Sequence, residues 1–146
     1  MTEVPSGFSI LVVEEDFYIS DVYKKALSAD GFTVALAADE RTARKMLLAQ
    51  DYDLILLEVR VPKAIGTGLY HWLNDERPEM ARRVMFITGD VLIGDTLDFL
   101  KTSARPFLPK PFSLGELRAR VKQEIEWLRE KTKRAGHERY ENCISC

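Results

Sequence analysis

Two kinds of hydrophobic pattern alternate along this chain. Short, almost unbroken apolar runs are typical of strands buried on both faces of a parallel sheet. Longer segments with an apolar residue every three or four positions are typical of amphipathic helices. The apolar runs predict strands at residues 8–13, 32–37, 53–57, 84–87 and 107–108. The periodic segments predict helices at residues 16–29, after Asp39, at 69–74, at 92–101 and after Ser113.

Turn and capping residues separate these segments. Asp30 and Gly31 end the first helix, because glycine readily adopts the left-handed conformation found after a helix. Asp39 is a suitable N-cap for the second helix. Pro78 closes the third helix, and Ser113 caps the last one with Glu116 at capping-box spacing. Five strand–helix units in this order predict an α/β fold, a doubly wound five-stranded parallel sheet.

The length and composition predict one domain. The 146 residues are 46% hydrophobic and 30% charged, which suits one ordinary core. We expect an N-terminal tail at residues 1–7, a domain at 8–130 and a polar, frayed C-terminal extension at 131–146.

Charge and cysteine usage exclude several function classes. The net charge of -2 argues against a whole-protein binder of nucleic acid, and no DNA-binding unit is recognisable. No apolar run approaches the roughly 18 residues of a membrane span, and the N-terminus does not resemble a signal peptide. Both cysteines lie in the last four residues, so we expect a cytoplasmic protein without a disulfide framework.

Polar residues follow the predicted strands, where open α/β sheets form their sites. They are Glu14, Glu15 and Asp16 after the first strand, Glu58 after the third, Thr88 after the fourth and Lys110 after the fifth. Crowded carboxylates repel one another, and a divalent cation such as Mg²⁺ would relieve the repulsion. A lysine and a threonine opposite the cation suit the oxygens of a phosphoryl group. The set therefore predicts phosphoryl transfer to or near a carboxylate.

Four segments of the chain resemble the motifs of receiver domains in two-component response regulators, in the same order. They are ILVVEED at 10–16, YDLILLEVRVP at 52–62, FITG at 86–89 and LPKPF at 108–112. The resemblance covers about residues 8–130. It implies a flavodoxin-like (βα)5 receiver fold and a role in phosphorelay signal transduction.

The resemblance also implies roles for individual residues. Glu58 stands at the phosphoacceptor position. Thr88 and Lys110 would hold the phosphoryl oxygens, and Thr88 would form the conformational switch with Phe107. The bond between Lys110 and Pro111 would be cis.

The implied ligands of Mg²⁺ lie in the same motifs. Glu15 and Glu58 would bind the cation directly and Glu14 through water. Arg60 would contribute its backbone carbonyl oxygen.

This chain departs from the family where the chemistry occurs, because Glu58 replaces an aspartate. The additional methylene moves the carboxylate by roughly 1.5 Å, and a misplacement of about 1 Å can slow such a reaction about a hundredfold. The acidic pair here is Glu14 and Glu15, whereas the family usually has two aspartates or a glutamate followed by an aspartate. We therefore expect slow or absent phosphorylation and only weak Mg²⁺ binding.

Three interpretations of Glu58 stay open. Its carboxylate could accept hydrogen bonds from Thr88 and Lys110 and imitate part of a phosphoryl group, which gives an atypical, phosphomimetic receiver. Alternatively, the chain is a conventional phosphorylatable receiver, on its own or from a hybrid kinase. In the third interpretation Glu58 only pairs with Lys110 in an inert scaffold.

At the level of function class we expect a signalling module, not an enzyme. Its output surface would be formed by the fourth strand, the fourth predicted helix and the fifth strand. Its partner would be a histidine kinase, a downstream effector or a second copy of the chain. A Mg²⁺-dependent phosphohydrolase is the minor alternative, but Arg60 stands where such an enzyme has a second carboxylate. Flavin binding conflicts with the acidic residues 14–16, which would repel its phosphate.

Overall fold

The computed structural model describes residues 7–60, 66–89 and 94–144, and the side chains as far as residue 131. Five parallel strands form one sheet in the order β2-β1-β3-β4-β5. The strands are β1 (Ser9–Val13), β2 (Thr33–Ala37), β3 (Leu54–Glu58), β4 (Val84–Thr88) and β5 (Phe107–Pro109). This arrangement confirms the predicted doubly wound α/β fold.

Helices cover both faces of the sheet. They are α1 (Phe17–Ser28), α2 (Glu40–Ala49), α3 (Thr67–Glu76), α4 (Pro78–Ala81), α5 (Gly94–Ser103) and α6 (Leu114–Ile144). Side chains of α1 and α6 pack with Ile10, Val12, Leu54 and Leu56 in one cluster, whereas α2 to α5 pack with the intervening strand residues in a second cluster. Successive strand residues point to opposite faces, so an unbroken apolar strand supplies both clusters.

Side chains cap three helices, two of them as predicted, at Asp39 and Ser113, and one without a prediction, at Asp16. Asp16 accepts hydrogen bonds from the amides of Tyr18 and Ile19 at the start of α1. Asp39 accepts from the amide of Thr42 at 2.7 Å. Ser113 and Glu116 form the reciprocal capping box, at 3.0 and 3.4 Å.

The helix boundaries around Pro78 differ from the sequence-based expectation. α3 begins at Thr67, two residues before the predicted start at 69, and ends at Glu76. Pro78 begins the short helix α4 as well as ending α3, because the first helical position tolerates a residue without an amide hydrogen. α5 begins at Gly94, and the expected helical start at 92 lies outside the described residues.

The C-terminal segment is helical where fraying was expected. α6 continues without a break to Ile144. Residues 131–144 contain no proline, and many of them are lysine, arginine, glutamate or alanine, which are good helix formers. Among the described helices, none combines the length and the apolar character needed to cross a membrane.

Candidate functional site

The site lies at the carboxyl ends of four strands, and backbone hydrogen bonds fix their relative positions. Glu58 is the last residue of β3, and the amide of Val59 donates to the carbonyl oxygen of Ile87 on β4 at 2.9 Å. The amide of Lys110 donates to the carbonyl oxygen of Thr88 at 2.8 Å. Residues from three motifs that are distant in sequence therefore meet at one edge of the sheet.

Two cationic side chains bind the same oxygen of Glu58. Lys110 Nζ donates to Glu58 Oε1 at 2.7 Å. A guanidinium nitrogen of Arg60, Nη2, donates to the same oxygen at 3.2 Å. The Glu58 side chain is only 5% exposed, whereas Lys110 and Arg60 are 25% and 37% exposed. Each cation thus keeps part of its hydration while it compensates a buried carboxylate.

Glu14 is the second buried carboxyl group of the site. Its side chain is hydrogen-bonded to that of Glu58, and the amide of Asp16 donates to its Oε1 at 3.1 Å. Its Oε2 is buried and accepts no hydrogen bond from the described residues. Burial, together with the hydrogen bond to Glu58, raises the pKa of Glu14 to about 7. Two carboxyl groups in contact need one shared proton, and Glu14 carries it.

The pKa of Glu58 shifts in the opposite direction to that of Glu14. Burial alone would raise the pKa of Glu58, but the hydrogen bonds from Glu14 and Lys110 and the charges of Lys110 and Arg60 outweigh it. The pKa of Glu58 therefore lies below its ordinary value. At neutral pH the buried pair carries its negative charge mainly on Glu58.

The other expected site residues differ in their burial and contacts. Glu15 and Asp16 are exposed, and Asp16 is occupied as the N-cap of α1. Thr88 is fully buried at the end of β4. Phe107 is half-buried and packs against the core, and the Lys110–Pro111 peptide bond is cis.

A cleft of about 200 Å³ opens beside Glu58. Its polar lining is acidic: Glu14, Glu15, Asp39, Glu40 and Glu58. Such a lining attracts cations in general. Nevertheless, the described residues contain no group of three histidine, cysteine, aspartate or glutamate side chains arranged to hold a metal ion.

The side chains as they stand do not fit Mg²⁺. This cation requires near-octahedral oxygen ligands, but Lys110 and Arg60 both bind Oε1 of Glu58 and place two positive charges beside the carboxylate. The ligand set of Glu14, Glu15, Glu58 and the Arg60 carbonyl oxygen therefore stays a prediction of the resemblance.

Sequence reasoning missed two features of the site. It assigned a role to the backbone of Arg60 but none to its guanidinium group. Residues two apart on an extended segment point to the same side, so the spacing of Glu58 and Arg60 carried that signal. It also gave Gly66 no role beyond the loop. Gly66 has φ of +80°, and a Cβ atom there would lie 2.2 Å from the carbonyl oxygen of Glu58.

Comparison with known proteins gives consistent results. The family model of the response regulator receiver domain matches residues 10–122. Protein PetR of Rhodobacter capsulatus is 31% identical over 112 residues, which are 77% of this chain and 46% of PetR. Transcriptional regulatory protein TcrA of Mycobacterium tuberculosis is 33% identical over 117 residues, 80% of this chain and 46% of TcrA. The chain thus spans about half the length of the curated relatives it matches.

Solved structures share the fold. A CheY-like response regulator receiver domain protein from Methanospirillum hungatei superposes with a TM-score of 0.74 at 22% identity, covering 85% of this chain and 98% of that one. A response regulator from Thermotoga maritima gives a TM-score of 0.66 at 26% identity, covering 82% and 98%.

Proposed function

The chain belongs to the response regulator receiver domain family, and on this premise we propose that it is an atypical receiver that signals without being phosphorylated. The observation that carries the proposal is the contact between Glu58 and Lys110. Glu58 stands at the position of the phosphoacceptor, and its carboxylate already holds the lysine at 2.7 Å. In this proposal the unmodified chain is the signalling form.

Phosphorylation of Glu58 is disfavoured by its surroundings. A carboxylate that attacks phosphorus must present a free oxygen in line with the leaving group. Oε1 of Glu58 is bound by Lys110 and Arg60, and its side chain contacts Glu14. The additional methylene relative to aspartate also displaces the nucleophile by roughly one bond length.

The same contacts support a phosphomimetic role. A phosphoryl group acts on a receiver by adding charge and acceptor oxygens. The Glu58 carboxylate gives Lys110 one such acceptor, although with less charge than a phosphoryl group carries. We expect the effect of the Glu58–Lys110 contact to reach the rest of the domain through two residues. They are Thr88, which is buried at the end of the neighbouring strand, and Phe107, which packs against the core.

The output is contact with another protein. We assign it to the face formed by β4, α5 and β5, whose edge continues into a cavity of about 450 Å³ beside α6. Arg105, Arg120 and Trp127 are among the residues that line this cavity. The cavity supplies its own carboxylate to these arginines, since Glu124 also lines it and lies 3.8 Å from Arg120 Nη2.

We propose three kinds of partner: a downstream effector, a histidine kinase or a second copy of the chain. Direct binding of nucleic acid by this domain is not proposed, since its net charge is slightly negative. TcrA is named a transcriptional regulatory protein, but this chain matches less than half of it.

A conventional, slowly phosphorylated receiver is the second candidate. The acidic lining of the cleft beside Glu58 favours it, because a divalent cation attracted there would assist phosphoryl transfer. Under this alternative the contact with Lys110 would be a resting state that a phosphoryl group replaces.

The intact mass of the protein after incubation with Mg²⁺ and acetyl phosphate separates the two candidates. Glu58→Asp and the double variant Glu15→Asp/Glu58→Asp are the matched controls. We expect no added phosphoryl group on the native chain and one on at least one control, because aspartate restores the shorter nucleophile. One phosphoryl group on the native chain would refute phosphorylation-independent signalling and establish the second candidate.

A further inference from the structure

Arg60 is the feature of the site that neither a receiver role nor the sequence motifs explain. Its guanidinium group binds Glu58 Oε1, the oxygen that Lys110 also binds. Glu58 is almost completely buried, while the Arg60 side chain is 37% exposed and reaches the carboxylate from the solvent side.

The charges at Glu58 are balanced without a metal ion. The carboxylate faces two positively charged neighbours on the same oxygen, Lys110 Nζ at 2.7 Å and Arg60 Nη2 at 3.2 Å. A divalent cation that joined this group would be repelled by both neighbours. It would also need to displace a guanidinium group, which stays charged at every accessible pH.

We propose that the Arg60 guanidinium, together with Lys110, takes the place of the divalent cation at this site. Arg60 is then a positioning residue, which holds Glu58 against Lys110 and excludes Mg²⁺ from the cleft. The inference rests on the proposed function in one respect, because it takes the unmodified Glu58 carboxylate as the working state.

Removing Arg60 has a predictable consequence. The cleft would keep its acidic lining, including Glu14, Glu15 and Glu58, and would lose one of the two cations that compensate it. Cation binding should therefore appear in the variant and be weak in the native chain. A purely structural arginine would change stability without creating a cation site.

Mn²⁺ is a suitable probe, because free Mn²⁺ can be quantified by electron paramagnetic resonance and it accepts the same oxygen ligands as Mg²⁺. The native chain, Arg60→Met, Arg60→Lys and Arg41→Met are each titrated with Mn²⁺, and competition with Mg²⁺ follows. Arg60→Met has a similar length without charge, and Arg60→Lys keeps the charge. Arg41 is an exposed arginine next to Glu40 of the cleft, with no contact to Glu58 among the described residues, and makes the matched control.

We expect Arg60→Met to bind Mn²⁺ at least about tenfold more tightly than the native chain, a difference of about 1.4 kcal/mol. Arg60→Lys and Arg41→Met should stay close to the native chain. Far-UV circular dichroism verifies that each variant is folded. If Arg60→Met does not fold, Arg60→Gln takes its place.

Two outcomes would overturn the inference. In one, the native chain binds Mn²⁺ as tightly as Arg60→Met. In the other, neither binds it, so that Arg60 is not what excludes the cation. Neither outcome decides the proposed function, because that depends on whether the native chain gains a phosphoryl group. A chain that binds Mn²⁺ but resists acetyl phosphate would refute only the role of Arg60.

Discussion

Glu14 and Glu58 have the same functional group and similar burial, yet their pKa values shift in opposite directions. Lys110 and Arg60 contact Glu58, whereas Glu14 has an oxygen without a donor. The proton therefore resides on Glu14, and the negative charge resides where the cations are. This asymmetry makes the stability of the protein depend on pH in a definite direction.

We predict that the free energy of unfolding falls as the pH rises from about 4.5 to about 7. In this interval the folded chain keeps the Glu14 proton, which the unfolded chain has already released, because the pKa of Glu14 is raised from 4.5 to about 7. Above that interval both states have lost the proton and the effect levels off. Glu58 acts in the opposite sense and in another interval: its lowered pKa gives stability that is lost as the pH falls below about 4.5.

Urea unfolding at about pH 5 and about pH 8 measures this effect, which we expect to be roughly 1–2 kcal/mol after allowance for solvent screening. Glu14→Gln should remove most of the difference, since the amide is neutral at both values. Glu15→Gln alters the exposed neighbour of Glu14 and should leave the difference in stability between the two pH values in place. An unchanged pH dependence in Glu14→Gln would show that the Glu14 proton is not the cause.

Single residues were only partly predictable from the sequence. The pairing of Glu58 with Lys110 followed from their places at two strand ends, which the sheet topology fixes. The spacing of Glu58 and Arg60 predicts that both side chains point to the same side, but whether the guanidinium group reaches the carboxylate depends on the rotamer of Arg60, which the motifs do not specify. Likewise, the adjacent Glu14 and Glu15 face different environments, and the sequence does not reveal which one is buried.

At the level of elements, the approach of α3 to β3 shapes the site. Gly66 stands at the N-cap of α3 with φ of +80°. The lack of a side chain allows the helix to begin against the backbone of Glu58, where a Cβ atom would meet the carbonyl oxygen at 2.2 Å. The position of Glu58 thus depends on a glycine in the following loop.

Gly66→Ala should lower the free energy of unfolding by about 2 kcal/mol or more, because it adds both backbone strain and a clash with a main-chain atom. Gly94→Ala, at the first residue of α5, is the control. A Cβ atom there meets none of the described atoms within 4 Å, and we expect a change below about 1 kcal/mol. Thermal and urea unfolding compare the two. Equal effects would mean that Gly66 is not constrained by Glu58.

Elements differed in how well they could be predicted. The strands were found within one or two residues, because parallel strands buried on both faces are continuously apolar. The helices were found where a capping side chain marks their start, as at Asp39 and Ser113. The start of α3 was missed because Gly66 caps it without a side-chain hydrogen bond, and α4 was missed because Pro78 suits both a helix end and a first turn.

At the scale of the whole molecule, the two apolar clusters determine how far the folded domain extends. Among the side chains that the structure describes, the last of α6 in the cluster under α1 are Ile125 and the half-buried Leu128. Lys131 Nζ lies 4.5 Å from the ring centroid of Trp127, on the solvent side. Sequence composition indicated an end of the core near residue 130, but it did not indicate that α6 would continue beyond it.

We predict that a chain ending after Lys131 keeps the stability of the full chain. It retains every member of both clusters among the described side chains, and residues 132–146 are mainly polar. Its thermal midpoint should lie within about 3 °C of that of the full chain, because a difference of 1 kcal/mol moves the midpoint of a domain of this size by roughly 2–4 °C. The helical circular dichroism signal should fall, since part of α6 is removed.

A chain that ends after Glu124 gives the contrasting case. It loses Ile125, which is 4% exposed, and Leu128, so the sheet face under α1 is partly uncovered. Loss of two such side chains costs several kcal/mol, and the midpoint should drop far more than for the longer truncation. If ending after Lys131 were as damaging as ending after Glu124, residues 132–146 would belong to the folded domain, and the boundary near residue 130 would be wrong.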